Sequence, residues 1–231
     1  MSSTIAERLV SIRSRMDEAC TTASRSPDEV RLLAVSKTFP ADAVLEAWQA
    51  GQVDFGESRQ QEGSAKVAEL PEGIRWHFIG GLQRNKVRKV LQDFDVLHSV
   101  DSLKLASHID RIAGELQLKP EVYLEVNLAG EASKGGFGPE ELSGVLQQLV
   151  EMENLSVNGL MAIPPAVGQA EDARPWFRLA RELRDRLEDG QGVSLPGLSM
   201  GMSGDFEVAI EEGATIVRVG SSIFGDREVS A

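Results

Sequence analysis

The chain has 231 residues, a formal net charge of -12 and one cysteine, and its Lys and Arg residues form no cluster. An acidic chain without a basic face is unsuited to nucleic acid or to an anionic membrane, because both are bound through neutralisation of their negative charge. The single Cys20 excludes an internal disulfide framework and fits a reducing compartment, and no uncharged apolar run reaches membrane-spanning length. We therefore expect a cytoplasmic, monomeric protein in which residues 1–231 form one domain.

The first predicted element is a helix near the N-terminus. Thr4 and Glu7 have the spacing of a capping box, which marks a helix start. The apolar residues that follow recur at steps of three and four, and they are Ile5, Leu9, Ile12, Met16 and Cys20. This spacing gives the helix one apolar face, so Cys20 is predicted to be a core residue and not a nucleophile.

From Arg31 onward, short apolar runs alternate with amphipathic stretches. The runs are RLLAV, VDF, WHFIG, VLHSV, EVYLEVN, VNGLMAI, GLSM and IVRVG, in chain order. Each is followed by a helical pattern or a short helical turn; the fifth of these helices opens at Pro139, and the long sixth helix is predicted to close at Gly190. Continuously apolar strands are buried on both faces, which is typical of a parallel sheet. Eight such units predict an α/β fold, a closed (β/α)8 TIM barrel with an additional N-terminal helix, and a doubly wound open sheet is the structural alternative.

Glycine and serine residues follow the last two predicted strands. Ser199-Met200-Gly201-Met202-Ser203-Gly204 follows strand seven, and Gly220-Ser221-Ser222 follows strand eight and precedes a short helix. Glycine allows close backbone approach, serine adds a hydroxyl donor, and a helix start offers unpaired N–H groups. Because the loops after strands seven and eight of such barrels often bind phosphate, the two loops together predict a phosphate site.

Lys37 lies at the end of the first predicted strand, in LLAVSKTFP. Barrel closure brings strand eight beside strand one, so Lys37 is expected next to the phosphate site. A lysine amine whose pKa is lowered by burial or by a neighbouring cation attacks carbonyl groups to form a Schiff base. A phosphorylated aldehyde satisfies both features, and composition alone leaves pyridoxal 5′-phosphate and a sugar phosphate both open. His77 is interpreted as a hydrogen-bonded barrel filler, and no metal-ligand spacing occurs.

Seven blocks carry a family resemblance. They are AVSKTFP, FGESRQQE, WHFIGGLQRNK, SVDS, GLMAIPP, LSMGMSGDFEVAI and VRVGSSIFG, in this order across nearly the whole chain. The sequence thereby closely resembles the pyridoxal phosphate homeostasis proteins. The resemblance implies a barrel like the N-terminal domain of alanine racemase, a pyridoxal phosphate imine on Lys37, and buffering or delivery of the cofactor to apoenzymes without established catalysis.

The resemblance also implies roles for particular residues. Cofactor-binding residues are expected to be Lys37, Met161, Ser199, Met200, Ser203, Arg218, Gly220 and Ser221. Of these, Arg218 would face the pyridine nitrogen, Met161 would line the ring, and the serine and glycine segments would hold the phosphate. Two positions depart from the common pattern: Ser58 stands where many members have asparagine, and Ser221 where a threonine often follows the glycine. Lys86 and Lys134 are predicted to be solvated, with a position on the open face of the barrel as the alternative for each.

Two enzyme functions remain as alternatives to a cofactor carrier. The first is an amino-acid racemase of the same fold, which uses a tyrosine from a second domain as a base; the only tyrosine of this sequence is Tyr123, inside strand five. The second is a Schiff-base aldolase that acts on a phosphosugar. Bound pyridoxal phosphate colours a protein yellow, so an absorption spectrum separates the aldolase from the other two.

Overall fold

The computed structural model describes residues 3–131 and 135–225. The helices are α1 (Ile5–Thr22), α2 (Ala41–Gln49), α3 (Gln60–Glu69), α4 (Val87–Asp93), α5 (Leu103–Leu116), α6 (Pro139–Val150), α7 (Arg174–Gln191), α8 (Phe206–Glu211) and α9 (Ser221–Phe224). The strands are β1 (Arg31–Val35), β2 (Asp54–Glu57), β3 (Arg75–Phe78), β4 (Val96–Val100), β5 (Glu121–Val126), β6 (Ser156–Ala162), β7 (Gly197–Ser199) and β8 (Ile216–Val219).

The eight strands form a closed parallel barrel in chain order. Closure is made by β8 against β1, where Arg31 pairs with Ile216 and Ala34 pairs with Val219. The prediction of a (β/α)8 barrel with an additional N-terminal helix is therefore confirmed, and the open-sheet alternative is wrong. The pairing of β8 with β1 also brings the segments after these two strands together at one end of the barrel.

Helix α1 begins as the sequence predicts. The backbone N–H of Thr4 donates to the Glu7 carboxylate at 2.8 Å, and the N–H of Glu7 donates to the Thr4 hydroxyl at 3.2 Å, which completes a capping box. Cys20 is buried in the core, also as predicted. The helix packs on α8 and α9, where the guanidinium of Arg15 lies 4.6 Å from the ring centre of Phe206. Helix α1 thus packs against the helices that precede and follow β8.

Side chains alternate between two cores because successive residues of a strand point to opposite faces. The larger core lies between barrel and helices, and a smaller cluster fills the barrel interior with Leu33, Val96, Tyr123, Met161 and Ile216. Polar side chains share this interior, among them the buried His77, His98, Ser199 and Arg218. Burying a polar group costs free energy unless the group is hydrogen-bonded. Four buried polar side chains in one barrel interior therefore point to a functional site.

One predicted boundary is wrong. Helix α7 continues past Gly190 to Gln191, and the residue that ends it is Gly192, with φ at 64°. Glycine is the residue best suited to a left-handed helix end, so two closely spaced glycines made the boundary ambiguous. No helix within residues 3–131 and 135–225 is long and apolar enough to cross a membrane.

Candidate functional site

A cavity of about 330 Å³ opens at the carboxyl ends of the barrel strands. The polar part of its wall comprises Lys37, His98, Ser203, Gly204, Arg218, Gly220, Ser221 and Gly225. The apolar part comprises Val35, Phe39, Ile79, Met161, Ile163 and Met202. Ligand sites in proteins commonly have this size and combine apolar walls with a few convergent polar groups.

Lys37 lies in the turn that leaves β1, and the backbone of the next residue is strained. Thr38 has φ at 73°, a conformation that β-branched residues rarely adopt. Its N–H donates to the carboxylate of Glu62 on α3. The ring of Phe39 stacks on Phe224 of α9, with centroids 5.1 Å apart. The turn that carries Lys37 is therefore held from two sides, by α3 and by α9.

A buried ion pair lies beneath this turn, between the barrel and α3. Lys66 donates from Nζ to the Glu57 carboxylate at 2.6 Å and to the Ser36 carbonyl at 2.9 Å. The same ammonium lies 3.4 Å from Glu62, and the Ser36 hydroxyl donates to Glu57 at 2.7 Å. Both ends of the Lys66–Glu57 pair are shielded from solvent, with side-chain exposures of 7% and 0%. Lys66 thus ties α3 to the residue that precedes Lys37.

The loop after β7 has a defined geometry. The backbone N–H of Met202 donates to the Asp205 carboxylate at 2.6 Å, and the carbonyl of Gly201 accepts from the backbone N–H of Arg218 at 3.0 Å. Gly201 has φ at 90°, and a Cβ there would lie 2.5 Å from the Cβ of Ala209, so this position requires glycine. The N–H of Gly220 donates to the Ser203 hydroxyl at 3.2 Å. This bond joins the two glycine- and serine-containing loops that the sequence predicts as one phosphate site.

Arg218 on β8 is a buried cation at the cavity wall. One guanidinium nitrogen, Nη1, donates to the Ser199 carbonyl at 2.7 Å and to the Ser199 hydroxyl at 2.9 Å. The other, Nη2, donates to the Ala162 carbonyl at 3.2 Å. Burial lowers the pKa of Arg218 to about 10, and the charges of Asp205 and Glu125 oppose this shift. A pKa near 10 still leaves the guanidinium charged at neutral pH.

A row of hydrogen bonds continues from Arg218 through the barrel interior. The Ser199 hydroxyl is 2.8 Å from His98 Nδ1, His98 Nε2 is 2.8 Å from His77 Nδ1, and His77 Nε2 is 2.9 Å from the Asp54 carboxylate. Burial lowers the pKa of His77 and holds the pKa of His98 well below its ordinary value. Both imidazoles are therefore neutral at pH 7. The ring of Tyr123 stacks on His98 at 4.7 Å between centroids.

Six of the eight predicted cofactor-binding residues line the cavity, and they are Lys37, Met161, Ser203, Arg218, Gly220 and Ser221. Ser199 is fully buried behind Arg218 and reaches the cavity through that side chain. Met200 is different, because its side chain belongs to the core between barrel and helices and does not line the cavity. Strand alternation explains this, since inward-pointing Ser199 sends its neighbour outward.

Two further residues named from the sequence lie away from the cavity. Ser58 and Lys86 line a separate surface groove beside α3, so neither contributes to the wall of the cavity. Lys86 is half-buried there. Lys134 lies outside the described residues.

The sequence interpretation missed His98 as a cavity residue. The alternation of β4 carries the signal, because Val96 belongs to the barrel interior and His98 is two residues further along the strand. Reading it requires knowing which face of the strand points inward, which the apolar run VLHSV does not reveal. Within the described parts of the chain, His, Cys, Asp and Glu side chains form no group of three or more that could hold a metal ion.

Comparisons with known proteins give the same class of protein as the fold and the cavity. Residues 8–228 match the family described as alanine racemase, N-terminal domain. An alanine racemase structure from Clostridium difficile 630 superposes with a TM-score of 0.74 over 98% of this chain and 57% of that chain, at 16% identity. At that identity the likeness concerns the fold alone. The chain is thus a barrel of the alanine racemase N-terminal type with a lysine at its mouth.

Closer relatives narrow the class to one family. The pyridoxal phosphate homeostasis protein of Pseudomonas aeruginosa is 46% identical over 99% of this chain and 98% of that protein. The corresponding protein of Aquifex aeolicus is 45% identical over 96% and 98%. The structure of PipY from Synechococcus elongatus PCC7942 with PLP bound is 43% identical, covers 96% of this chain and 100% of that chain, and has a TM-score of 0.86. This chain belongs to the pyridoxal phosphate homeostasis protein family.

Proposed function

We propose that this protein binds pyridoxal 5′-phosphate at the barrel mouth as a Schiff base on Lys37, and that it buffers and delivers the cofactor. The observation that carries the proposal is the convergence of Lys37, Arg218 and the Ser203–Gly220 loops on one cavity. The relatives support it, because they are named for pyridoxal phosphate homeostasis and the PipY structure contains PLP.

The residues present fit the chemistry of this cofactor. A primary amine, Lys37, can hold an aldehyde, and the hydroxyls of Ser203 and Ser221, together with the backbone N–H groups at the start of α9, can hold a phosphate. The side chain of Met161 offers an apolar, polarizable surface to an aromatic ring. A Cβ on Gly220 would lie 3.1 Å from the Val35 carbonyl, so a larger residue there would tighten the wall. Met200 is omitted from the proposed binding residues because its side chain points away.

The charge at the cavity wall favours holding the cofactor over using it. When bound, pyridoxal phosphate accepts electrons from the α-carbon of an amino acid through its ring, and a protonated ring nitrogen strengthens this. Arg218 is a permanent donor whose positive charge opposes protonation of a neighbouring ring nitrogen. The arrangement therefore supports a carrier without efficient turnover.

The position of Tyr123 argues against the racemase alternative. Its side chain is 3% exposed and stacks on His98 inside the barrel, so it does not line the cavity. The tyrosine of this sequence is therefore not available as a base on the open face of a bound cofactor. Exchange of the α-proton of L-alanine in heavy water, followed by NMR, tests this. Steady exchange that Lys37→Ala abolishes would restore the enzyme interpretation.

The Schiff base is tested with Lys37→Ala and a matched lysine variant. The native protein should be yellow with pyridoxal phosphate, and borohydride reduction should leave the adduct on the peptide that contains Lys37. Lys37→Ala should lose both signals, and Lys86→Ala, in the neighbouring groove, should keep both. An adduct on another lysine, with Lys37 unmodified, would contradict the proposal.

Delivery to apoenzymes is the second half of the proposal. The loaded protein should activate a pyridoxal phosphate-dependent apoenzyme faster than the same total cofactor bound to serum albumin. Lys37→Ala mixed with the same total cofactor provides the control for activation by cofactor that is free in solution. Activation by the native protein at the rate set by free cofactor alone would limit its role to buffering. The same samples, examined by analytical ultracentrifugation, test the expectation of a monomer.

A further inference from the structure

The hydrogen-bonded row inside the barrel spans it from one end to the other. Asp54 is the first residue of β2, at the end opposite to the cavity, and its carboxylate is 18% exposed. His77 and His98 occupy the middle of β3 and β4, and Ser199 and Arg218 lie at the cavity end of β7 and β8. Five side chains from five strands thus form one continuous contact, which we call the interior chain.

The Asp54 end fixes where the first proton lies. Burial alone raises the pKa of Asp54, but the hydrogen bond from His77 and the charge of Arg75 bring it below its ordinary value. An ionised carboxylate only accepts hydrogen bonds, so His77 Nε2 must carry the hydrogen. A neutral imidazole then has an acceptor at Nδ1. The 2.8 Å contact to His98 consequently requires a hydrogen on His98 Nε2.

The same logic determines the remaining bonds. His98 Nδ1 is left as an acceptor, so the Ser199 hydroxyl donates to it at 2.8 Å. The Ser199 oxygen in turn accepts from Arg218 Nη1 at 2.9 Å. Every bond therefore runs in one direction, from the guanidinium to the carboxylate. If both histidines were Nδ1–H tautomers, His98 and Arg218 would both donate to Ser199 Oγ. The hydrogen of the Ser199 hydroxyl would then lose its acceptor on His98.

We propose that Asp54, His77 and His98 are positioning residues for Arg218: the interior chain fixes both histidines as Nε2–H tautomers and Ser199 as an acceptor. Arg218 makes three hydrogen bonds inside the wall, of the five that a guanidinium can donate. Its remaining N–H groups are then directed by a rigid frame. A contact between these N–H groups of Arg218 and the ring nitrogen of pyridoxal phosphate rests on the proposed function. The proton order of the interior chain does not depend on that function.

An apolar filling would be the simpler way to build this interior. The same layers contain Leu33, Val96 and Ile216, which pack without desolvating polar groups. Two buried histidines are stable here because each ring nitrogen has a partner, and a half-satisfied network would cost more than an apolar one. Five charged groups act on the chain from around it: Arg31 on β1, Arg75 on β3, Glu125 on β5, and Asp95 and Asp205 in loops.

The proton order can be observed directly by NMR on the protein without cofactor. Long-range ¹⁵N–¹H correlation of the imidazole rings distinguishes nitrogens that carry hydrogen from those that do not. The sequence holds three histidines, so His108→Gln on α5 leaves the two chain histidines in the spectrum. Both should be Nε2–H tautomers near neutral pH, where the pKa of each ring is lowered by burial. Either ring as an Nδ1–H tautomer under these conditions would overturn the inference.

A variant at the far end tests whether the chain positions Arg218. Asp54→Leu removes the terminal acceptor and should give mixed histidine tautomers and weaken pyridoxal phosphate binding about threefold to tenfold, the range for one lost hydrogen bond. Asp54→Asn keeps a carbonyl acceptor and should restore affinity and tautomers. Glu121→Gln is the matched control, because Glu121 accepts from Arg75 at the same barrel end, where Asp54 lies 4.0 Å from Arg75, but Glu121 lies outside the interior chain.

The outcomes separate the two proposals. Asp54→Leu with native affinity, or a loss equal to that of Glu121→Gln, would refute the positioning role while a Schiff base on Lys37 still supports the proposed function. If no Schiff base forms but the tautomers are as expected, the proposed function fails and the proton order stands. Should Asp54→Leu fail to fold, Asp54→Ala replaces it with the same expected loss of affinity, and the spectrum of the His108→Gln protein still tests the proton order.

Discussion

Lys66→Met tests how the turn that carries Lys37 is held. The substitution keeps a long apolar side chain and removes the ammonium that contacts Glu57, Glu62 and the Ser36 carbonyl. We expect lower stability and faster release of the cofactor. The second effect follows because Lys66 also steadies Glu62, which accepts from the strained Thr38 next to Lys37.

The size of the stability loss follows from burial. The Glu57 side chain is fully buried, and one carboxylate oxygen, Oε2, has no hydrogen-bond partner among the described residues. Removing one partner of a buried ion pair leaves an uncompensated charge, which costs about 3–5 kcal/mol. Glu57→Gln together with Lys66→Met removes that charge, and we expect the double variant to recover roughly half of the loss.

The loss should depend on pH in a defined direction. Burial raises the pKa of Glu57 above its ordinary value of 4.5, and the hydrogen bond from Lys66 opposes this shift. Without Lys66 the pKa rises further. A carboxyl whose folded-state pKa exceeds its unfolded-state value is favourable when protonated, so its contribution is lost as pH rises through the folded-state pKa. Lys66→Met should therefore be closer to the native stability at about pH 5 than at about pH 8.

Urea unfolding at both pH values measures these effects, and cofactor release is followed by absorbance with an apoenzyme trap. The control is Lys89→Met, an exposed lysine on α4, which should change the free energy of unfolding by less than about 0.5 kcal/mol. Equal losses for Lys66→Met at both pH values, or a double variant no more stable than the single one, would refute the reasoning.

Three further predictions concern single residues. Gly220→Val should weaken pyridoxal phosphate binding about tenfold and pyridoxal binding less, because the added Cβ, 3.1 Å from the Val35 carbonyl, would shift the loop that is proposed to hold the phosphate. Equal losses in titrations with the two ligands would oppose a phosphate site. Thr38→Gly should stabilise the fold by about 1 kcal/mol in thermal unfolding, because glycine adopts the positive φ of Thr38 without strain, and it should speed release of the cofactor. Thr38→Ala should not stabilise the fold, because alanine keeps the strain. Burial by itself raises the pKa of Glu212, but hydrogen bonds from Arg178 lower it overall. Glu212→Gln should therefore cost about 1–3 kcal/mol near pH 7, and the difference should vanish as pH falls below the folded-state pKa.

The barrel could be predicted from the sequence because a strand that is buried on both faces is a short, continuously apolar run of residues. Eight apolar runs separated by helical periodicity admit few arrangements, and the closure by β8 and β1 follows from their number. The placement of Lys37 and of Gly220 beside one cavity follows from that closure. These predictions succeed because each depends on residues that are near neighbours in sequence or on a rule of topology.

The interior chain could not be predicted because it depends on contacts between distant residues. His98 and Ser199 are 101 positions apart, and their contact requires the register of strands on opposite sides of the barrel. His77 was interpreted as a hydrogen-bonded filler, but its partners could not be named. The Lys66–Glu57 pair was missed for a similar reason, since a helix must be docked on the barrel before a buried lysine can be recognised.

Two separate sets of contacts, which we call frames, therefore hold the two ends of the proposed cofactor site. The Lys66–Glu57 pair lies on the outer face of the barrel, between β2 and α3, and holds the turn of Lys37, whereas the interior chain lies inside the barrel and is proposed to hold Arg218. The two frames have no residue in common, and effects at independent sites add within about 0.5 kcal/mol. Lys66→Met and Asp54→Leu, combined in one protein, should therefore weaken pyridoxal phosphate binding by the product of their separate factors. A titration that gives a combined factor more than about tenfold from that product, a coupling of about 1.4 kcal/mol, would show that the amine and the guanidinium are held by one frame.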